Sequence, residues 1–241
     1  MSLFINTKYR STEAELMDDF SIQGDLLRDT LDQLGRINKW LGGNKITLGG
    51  IKILLKNQSK NRTITIVDIG CGHGDMLRQV AEFGRANGYQ FKLMGIDANK
   101  DAIAYANQLS QPYEEIVYLS GDIFSEEFKT LQCDIALCTL FLHHFSDSDI
   151  ISLLKQLRSQ ASLGIVVNDL QRSELAYGLF RLLGIVISNP MVKQDGLTSI
   201  LRAFKKEEIV KISEQLNLPF SIKWRWAYRY QWIINTKIEQ P

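Results

Sequence analysis

The chain has 241 residues, a length that a single α/β domain with a cap can account for. Its 28 Lys and Arg residues nearly balance its 27 Asp and Glu residues, so the formal net charge of +1 provides no bulk attraction to nucleic acid. Hydrophobic residues at 45% and charged residues at 23% exclude a disordered chain, and no uncharged stretch approaches the roughly 20 residues that cross a bilayer.

Two helices are predicted ahead of the first strand. An amphipathic pattern over residues 24–41 places leucines on one stripe, and Gly42 and Gly43 follow it, as glycine follows many helices that end in the left-handed conformation. A shorter helix around residues 51–55 leads into the sheet. We expect residues 1–60 to form a helical cap that belongs to the same domain as the rest of the chain.

Apolar, β-branched runs that alternate with helical patterns predict a sheet. Five strands are expected, at residues 63–69, 91–97, 115–122, 133–142 and 162–169. The fourth is apolar almost throughout, as a strand covered on both faces should be. Because crossover connections between parallel strands are right-handed, the expected fold class is α/β with a doubly wound, mostly parallel sheet.

The region after the fifth strand is open to several interpretations. Residues 173–188 are apolar and interrupted by Arg181, a pattern that suits a cap helix over an apolar pocket, a dimer face or simply core. A helix over residues 205–217 and a β-rich tail complete the chain. A homodimer is therefore one of the expected arrangements.

The N-terminus and the cysteines bear on compartment and on metal binding. The first ten residues, MSLFINTKYR, lack the basic-then-apolar pattern of a signal peptide, so a cytoplasmic protein without a transmembrane segment is expected. Cys71, Cys133 and Cys138 cannot all pair, and no two of them have metal-ligand spacing with nearby histidines. We expect neither a disulfide scaffold nor a metal site.

A glycine-rich segment joins the first strand to the helix that follows it. Residues 67–75 read VDIGCGHGD, in which Gly70, Gly72 and Gly74 have the spacing G-x-G-x-G. Glycine allows a tight turn and a close approach of ligand to backbone, beside the free N–H groups of the helix. A nicotinamide-dinucleotide fingerprint would need glycine where Asp75 stands, and the flanking acids suit a positively charged ligand. A tight turn without a ligand is the alternative.

This segment resembles the first motif of the class I S-adenosylmethionine-dependent methyltransferases, and the resemblance extends over residues 64–169. It implies a seven-stranded sheet whose terminal strands form an antiparallel hairpin at the edge. Residues 61–241 would then form the cofactor-binding domain, with a helical substrate cap inserted at about 171–203. S-adenosylmethionine is the implied cofactor.

The resemblance also assigns cofactor contacts. The first motif would line the methionine end, Asp97 would accept both ribose hydroxyls, and Asp122 would accept the adenine amino group with Ile123 against the base. The end of the fourth strand would flank the cofactor's amine. The implied cofactor residues are Asp68, Gly70, Cys71, Gly72, Gly74, Asp97, Ala98, Asp122, Ile123, Thr139 and Leu140. Each acid alone could cap a helix or turn, but acids at successive strand ends favour a ligand, because ligands bind at that edge.

Two histidines follow the fourth strand. Residues 142–147, LHHFSD, are similar to the segment that faces the transferring methyl in ubiquinone- and menaquinone-biosynthesis methyltransferases. His143 or His144 is therefore a candidate general base for the proton of an attacking hydroxyl. Alternatively, at least one of them packs against the backbone, and positioning alone supports transfer.

Three further segments bear on the substrate. Enzymes that methylate amino groups of DNA bases carry Asn/Asp-Pro-Pro-Tyr/Phe where this chain has TLFL at 139–142, so DNA bases are not expected acceptors. The segments at 35–43 and 195–204 look like those of bacterial enzymes that tailor polyketide-like or phenolic molecules. The candidate substrate residues are Arg36, Asp169, Asp195 and Arg202, with surface or capping roles open for each.

The tail alternates cations with aromatic residues, as KWRWAYRYQW from residue 223. On one continuous strand, the five aromatic residues at positions 224–232 would share a face and the cations would share the other. Cations beside stacking aromatics are typical of proteins that bind single-stranded nucleic acid, but opposite faces cannot grip one strand. We therefore do not expect nucleic acid as a partner.

The sequence as a whole predicts a methyltransferase that acts on a small, fairly apolar acceptor of a phenolic, quinone-like or polyketide-like kind. Methylation at oxygen is expected, and methylation at carbon stays open. RNA or protein methylation is one alternative. A domain that binds cofactor or partner without catalysis is the other.

Overall fold

The predicted β-branched runs form strands of one sheet in the computed structural model, which describes residues 5–236. The strands are β1 Thr63–Ile69, β2 Gln90–Asp97, β3 Ile116–Ser120, β4 Cys133–Thr139, β5 Ala161–Leu170, β6 Phe220–Arg225 and β7 Arg229–Asn235. Their order is β3-β2-β1-β4-β5-β7-β6. The first five are parallel, and β7 runs antiparallel to both β5 and β6. This confirms the doubly wound, seven-stranded α/β sheet with a terminal hairpin.

Helices cover both faces of this sheet. Their bounds are α1 Gly24–Trp40, α2 Gly43–Leu55, α3 Asp75–Asn87, α4 Lys100–Leu109, α5 Glu126–Lys129, α6 Asp147–Gln160, α7 Glu174–Leu183, α8 Pro190–Arg202 and α9 Lys206–Glu214. One buried cluster joins α2, α3 and α4 to residues such as Ile66, and another joins α6 and α9 to residues such as Val67. Adjacent strand residues thus serve opposite faces, as the pleat requires.

Several predicted boundaries differ from the observed ones. The fourth strand ends at Thr139 rather than at residue 142, because Leu140 adopts a positive φ of 54° and residues Leu142–His144 form a 3-10 helix. Gly42 does adopt the left-handed conformation after α1, with φ of 78°, but α2 starts directly at Gly43 and is longer than predicted. These changes turn the chain sharply at the carboxyl edge of the sheet.

The region after β5 holds two helices, of which α7 lies within the apolar stretch at 173–188 and α8 follows it. The second, α8, begins where the Asn189 side chain accepts hydrogen bonds from the N–H groups of Met191 and Val192, with Pro190 in the first turn. Apolar periodicity is weak in α8 because several of its buried residues are polar, including Asp195 and Arg202.

The tail forms the terminal hairpin that the resemblance implies, not the continuous strand considered as an alternative. The chain turns at residues 226–228 between β6 and β7, so the aromatic residues do not share one face. Trp224 and Trp226 are exposed, whereas Tyr230 and Trp232 are buried in the sheet. Across residues 5–236, no helix has both the length and the apolar character needed to cross a membrane.

Candidate functional site

A cavity of about 1240 Å³ opens at the carboxyl ends of the parallel strands. Helices α1, α7 and α8 and residues 15–22 cover it. This is the edge at which open α/β sheets bind ligands. Most of the predicted cofactor residues line it, namely Asp68, Gly70, Cys71, Gly72, Asp97, Ala98, Asp122, Ile123, Thr139 and Leu140. Residues scattered over 70 positions of sequence therefore meet around one space.

We call residues 70–74 the glycine loop. It borders this cavity, and its glycines adopt positive φ angles that other residues rarely adopt. Gly70 and Gly72 have φ values of 71° and 52°. A Cβ on Gly70 would lie 2.1 Å from the Phe141 ring, so the loop and the segment after β4 pack directly together. On Gly72, the nearest atom to a Cβ would be a Leu31 methyl at 3.4 Å, which leaves its cavity side open.

Gly74 differs from the other two glycines. It also has a positive φ, of 76°, but it does not line the cavity. A Cβ there would lie 2.0 Å from the Tyr118 hydroxyl oxygen. The predicted cofactor contact of Gly74 is therefore replaced by a packing role, in which the glycine lets the start of α3 sit against Tyr118.

Asp97 at the end of β2 fixes the glycine loop. Its two carboxylate oxygens accept hydrogen bonds from the N–H groups of Gly72 and Asn99, both at 2.9 Å. Asn99, not Asp97, caps α4. Burial raises the pKa of Asp97, although these N–H groups oppose that shift. Asp97 is thus a carboxylate held at the cavity wall rather than a helix cap.

Asp122 has the local role that its alternative interpretation predicted. It is exposed at the cavity wall, and its Oδ1 accepts the N–H of Phe124 at 2.9 Å. This is the turn hydrogen bond expected of an aspartate after a strand. Its second oxygen makes no such turn bond, so a turn role and a ligand contact are compatible.

Asp68 carries an orphaned acceptor. It is 2% exposed, and its Oδ1 has no hydrogen-bond partner among residues 5–236. Burial raises its pKa well above the ordinary value, and the nearby charges of Asp75 and Asp97 add to this. A cationic ligand group would satisfy this oxygen and lower that cost. The α-ammonium and sulfonium of S-adenosylmethionine are cations. The unpaired Asp68 oxygen and the open side of the glycine loop at Gly72 therefore fit the implied cofactor.

His143 is held between two carboxylates beneath the cavity. It is 3% exposed, its Nδ1 lies 2.7 Å from Asp169 Oδ1, and its Nε2 lies 3.4 Å from Glu15 Oε1. Burial alone would lower its pKa, but Asp169 and Glu15 together raise the pKa of His143 to about 10. The ring is therefore cationic at neutral pH and has no lone pair for a substrate proton, which disfavours His143 as a general base.

This charge arrangement predicts a pH dependence of stability. Because the pKa of His143 is about 10 in the folded protein and about 6.5 when unfolded, its contribution is full below pH 6.5 and is lost as the pH rises towards 10. We expect the free energy of unfolding to fall with a slope of about 1 kcal/mol per pH unit over this window. Urea titrations from pH 7 to 10 measure it. A His143→Gln variant with the same slope as the wild type would contradict the assignment.

His144 is the better placed of the two histidines. It is partly exposed and lines the cavity, and its Nδ1 lies 2.7 Å from Asp18 Oδ1. A carboxylate on Nδ1 fixes the tautomer that leaves Nε2 free to accept a proton. The structure therefore keeps one of the two predicted candidates.

Glu15, His143 and His144 bring one ligand atom each to within 4.8 Å of one another. The sequence spacing did not indicate this cluster, because Glu15 is far from the histidines in the chain. Each histidine Nδ1 already faces a carboxylate, and the protonated His143 lies between the carboxylates of Glu15 and Asp169. The absence of a metal in the reaction stays a prediction.

Asp195 and Arg202 hold the chain's own N-terminal segment. We call residues 7–18 the N-terminal strap. Asp195 accepts the N–H groups of Leu16 at 2.7 Å and Met17 at 3.1 Å. Arg202 donates to Asp18 Oδ2 at 2.5 Å and to backbone carbonyls. Both were predicted to anchor substrate, but their polar atoms bind the N-terminal strap and neighbouring backbone, and of the two only Asp195 lines the cavity.

Two further arginines hold the N-terminal strap, and sequence reasoning missed both. Arg10 donates to the carbonyl oxygens of His143 and Phe145 at 3.1 and 2.9 Å and pairs with Asp147. Arg172 donates to the carbonyl of Thr7 at 3.0 Å. These contacts join residues more than 100 positions apart, so no local pattern could reveal them.

The remaining substrate candidates lie outside the cavity. Arg36 is exposed and donates to its own helix at the Asp32 carbonyl, beside a separate depression of about 310 Å³. Asp169 is buried under His143. In the tail, Arg225 donates to the Gln231 amide oxygen rather than standing free beside the aromatic residues. This gives no support to a nucleic-acid surface there.

Known proteins resemble this chain in one domain and in its fold. Residues 66–162 match a family model described as a methyltransferase domain. No curated protein matches the sequence. The fold is similar to a plantazolicin methyltransferase solved with S-adenosylhomocysteine (17% identity, TM-score 0.66, 86% of this chain and 89% of that chain). It is also similar to an O-methyltransferase family protein from Burkholderia thailandensis (12% identity, TM-score 0.66, 94% of this chain and 64% of that chain). A third similar structure is that of magnesium protoporphyrin IX methyltransferase from Synechocystis PCC 6803 (16% identity, TM-score 0.53, 80% of this chain and 83% of that chain).

Proposed function

We propose that this chain is a class I, S-adenosylmethionine-dependent methyltransferase that methylates an oxygen of a small, fairly apolar acceptor. The match of residues 66–162 to a family model described as a methyltransferase domain supports the proposal. The observation that carries the proposal is the two-part lining of the cavity. Carboxylates and the glycine loop lie over β1 and β2, whereas aliphatic and aromatic side chains of α1 and α7 cover the rest. Apolar linings with few polar groups are typical of small-molecule sites.

The cofactor contacts belong to this proposal residue by residue. Asp68 would face the α-ammonium group, Asp97 the ribose hydroxyls, and Asp122 with Ile123 the adenine. When bound, S-adenosylmethionine supplies an electrophilic methyl carbon, and S-adenosylhomocysteine is the product. Helices α1, α7 and α8 and the N-terminal strap would limit the access of water to this space, because they cover it.

Asp97→Ala should weaken binding of S-adenosylhomocysteine by about 1–3 kcal/mol, the range for lost charge-assisted hydrogen bonds. The substitution removes the proposed ribose acceptor and also releases the N–H groups of Gly72 and Asn99. Isothermal titration calorimetry measures the affinity. Asp134→Ala is the control, since Asp134 also accepts a strand N–H but does not line the cavity. Equal affinities for Asp97→Ala and the wild type would refute the assignment.

His144 is the proposed proton acceptor. Its Nε2 would take the proton of the attacking hydroxyl, while Asp18, itself paired with Arg202, holds Nδ1. Replacing His144 by Gln should lower kcat about 100-fold, the lower range for general-base catalysis, without changing S-adenosylhomocysteine affinity. For a phenolic acceptor the loss should shrink at high pH, where the phenol ionises unaided. An unchanged kcat at pH 7 would leave positioning as the whole of catalysis.

The reaction itself is tested with purified protein, S-adenosylmethionine and a panel of phenols, hydroxyquinones and hydroxylated polyketide-like compounds. Mass spectrometry should detect a gain of one methyl group, about 14 Da, on at least one acceptor, with the methyl located on oxygen by fragmentation. Methyl on carbon would correct the reaction type. Transfer only to RNA or protein, or to nothing despite cofactor binding, would overturn the proposal.

We also propose a cytoplasmic location and a homodimer. Cys71, Cys133 and Cys138 are all buried and unpaired, which suits a reducing cytoplasm.

The face of α7 away from the cavity exposes two leucines, Leu175 and Leu182, whose exposed fractions are 60% and 62%. An apolar surface of this kind supports a homodimer through α7, which sedimentation analysis would detect.

A further inference from the structure

The first residue of β7 is a buried arginine at the cavity wall. Arg229 pairs with Leu170 of β5 and with Arg225 of β6, is 3% exposed, and lines the cavity. Arginine is rarely buried without a partner, because moving its charge out of water is costly. Its partners in the fold are therefore the first question to ask of it.

Within the described part of the chain, two donor atoms of Arg229 are without a partner. Its Nε and Nη1 atoms lack hydrogen-bond partners among residues 5–236. Burial lowers its pKa to about 10, so the guanidinium is still charged at neutral pH. Asp169 is the carboxylate whose charge it feels, but Asp169 already pairs with His143 at 2.7 Å. A buried cation thus faces the cavity with two of its donor atoms unused.

An unpaired acceptor atom, Asn38 Oδ1, lies near the Arg229 guanidinium. Asn38 Oδ1 is buried and has no hydrogen-bond partner in the described part of the chain, since Asn38 uses its amide nitrogen to donate to Asn44. A Cβ on Gly43 would lie 1.9 Å from Asn38 Oδ1 and 2.8 Å from Arg229 Nη1. Guanidinium donors and an amide acceptor therefore converge next to the turn between α1 and α2.

The surroundings of this pair are apolar. The same cavity is lined by Ile37 and Trp40 of α1, by Leu41 directly after that helix, by Leu170 of β5 and by the turn at 226–228. Charge-assisted hydrogen bonds in such surroundings are strong and specific, and arginine suits carboxylates in particular. The ligand chemistry that fits is an apolar molecule that carries an anionic oxygen group.

The position of Arg229 indicates the acceptor rather than the cofactor. In the strand order, β4 and β5 separate β1 from β7. At about 4.8 Å per strand, the start of β7 is roughly 14 Å from the glycine loop across the sheet. The carboxylates assigned to the cofactor, those of Asp68, Asp97 and Asp122, belong to β1, to β2 and to the loop after β3, on the side of this gap away from β7.

We propose that Arg229 binds an anionic oxygen group of the methyl acceptor, a carboxylate or an equivalent oxyanion distinct from the oxygen that is methylated. This deepens the proposed function and rests on it. The natural acceptors would then be apolar acids, and neutral molecules of the same shape would bind less well. Arg229 sets specificity and takes no part in bond making.

The test compares two probes of matched shape, 2-naphthoate and the neutral 2-naphthamide, on protein saturated with S-adenosylhomocysteine. The wild type should bind naphthoate at least 10-fold more tightly than naphthamide. Arg229→Met should lose this preference, and Arg229→Lys should retain part of it, while the S-adenosylhomocysteine affinity of both variants stays unchanged. Arg225→Met is the matched control, since Arg225 lies opposite Arg229 in the hairpin but does not line the cavity.

Each other outcome counts against the proposal. Equal binding of the two probes by wild type, binding of neither, or a preference that survives in Arg229→Met would overturn it. Weaker S-adenosylhomocysteine binding in Arg229→Met would assign the arginine to the cofactor. If Arg229→Met fails to fold, the wild-type preference and Arg229→Lys still decide. Failure of the wild type to bind S-adenosylhomocysteine would instead refute the proposed function.

Discussion

Replacing Gly72 by arginine should reduce the affinity for S-adenosylhomocysteine at least 100-fold, or about 2.7 kcal/mol, while the sheet stays folded. Gly72 has φ of 52° and borders the cavity, and its N–H donates to Asp97. A long side chain at this position would fill the space assigned to the methionine end of the cofactor. Its guanidinium would also repel the cationic groups that S-adenosylmethionine and its product carry there. Because arginine would have to adopt the left-handed conformation at this position, the substitution would also cost about 1–2 kcal/mol of stability.

A matched control separates the two effects. Gly88 has φ of 71°, and a Cβ there would meet nothing within 4 Å. It lies at the end of α3 and does not line the cavity. Gly88→Arg thus carries similar backbone strain and the same added charge, and it should bind S-adenosylhomocysteine like the wild type. Calorimetry on both variants, with circular dichroism to check folding, gives the comparison. Similar affinities for the two variants would place the cofactor elsewhere.

Replacing Arg202 by methionine should lower the free energy of unfolding by about 3–5 kcal/mol, the cost of breaking a buried charge pair. Arg202 is 7% exposed and donates to Asp18 and to carbonyls of Glu13, His143 and His144. Methionine would leave Asp18 and these carbonyls without their shared donor. Because the N-terminal strap covers the cavity, ligand affinity should also fall.

Arg85→Met is the control for that loss. Arg85 pairs with Glu115 at 2.7 Å, but its side chain is 53% exposed, so the pair should contribute at most about 1 kcal/mol. Chemical denaturation of both variants at pH 7 measures the difference. If Arg202→Met cost no more than Arg85→Met, the N-terminal strap would not be held as the structure indicates.

The sheet was predictable because its signals are local. Alternation and β-branched runs located β1 to β5 within a few residues, and the glycine spacing located the loop after β1. The prediction failed where the backbone leaves regular conformations. Leu140 ends β4 early through a positive φ, and the hairpin turn at 226–228 interrupts a pattern that otherwise reads as one strand.

The covering of the site was not predictable, because it depends on contacts between distant residues. Glu15 meets His143, and Asp195 meets the backbone of Leu16, across gaps of more than 100 residues. Such pairs leave no periodic trace in the sequence. Arg229 was seen only as one of several cations in the tail, and its burial against β5 became visible in the fold.

The most direct test is a calorimetric titration of the wild-type protein with S-adenosylhomocysteine. We expect one molecule to bind per chain with a dissociation constant in the micromolar range, and the binding to be lost in Gly72→Arg. Folded protein that takes up no S-adenosylhomocysteine would contradict the account, because the orphaned Asp68 carboxylate and the glycine cradle would then serve some other ligand.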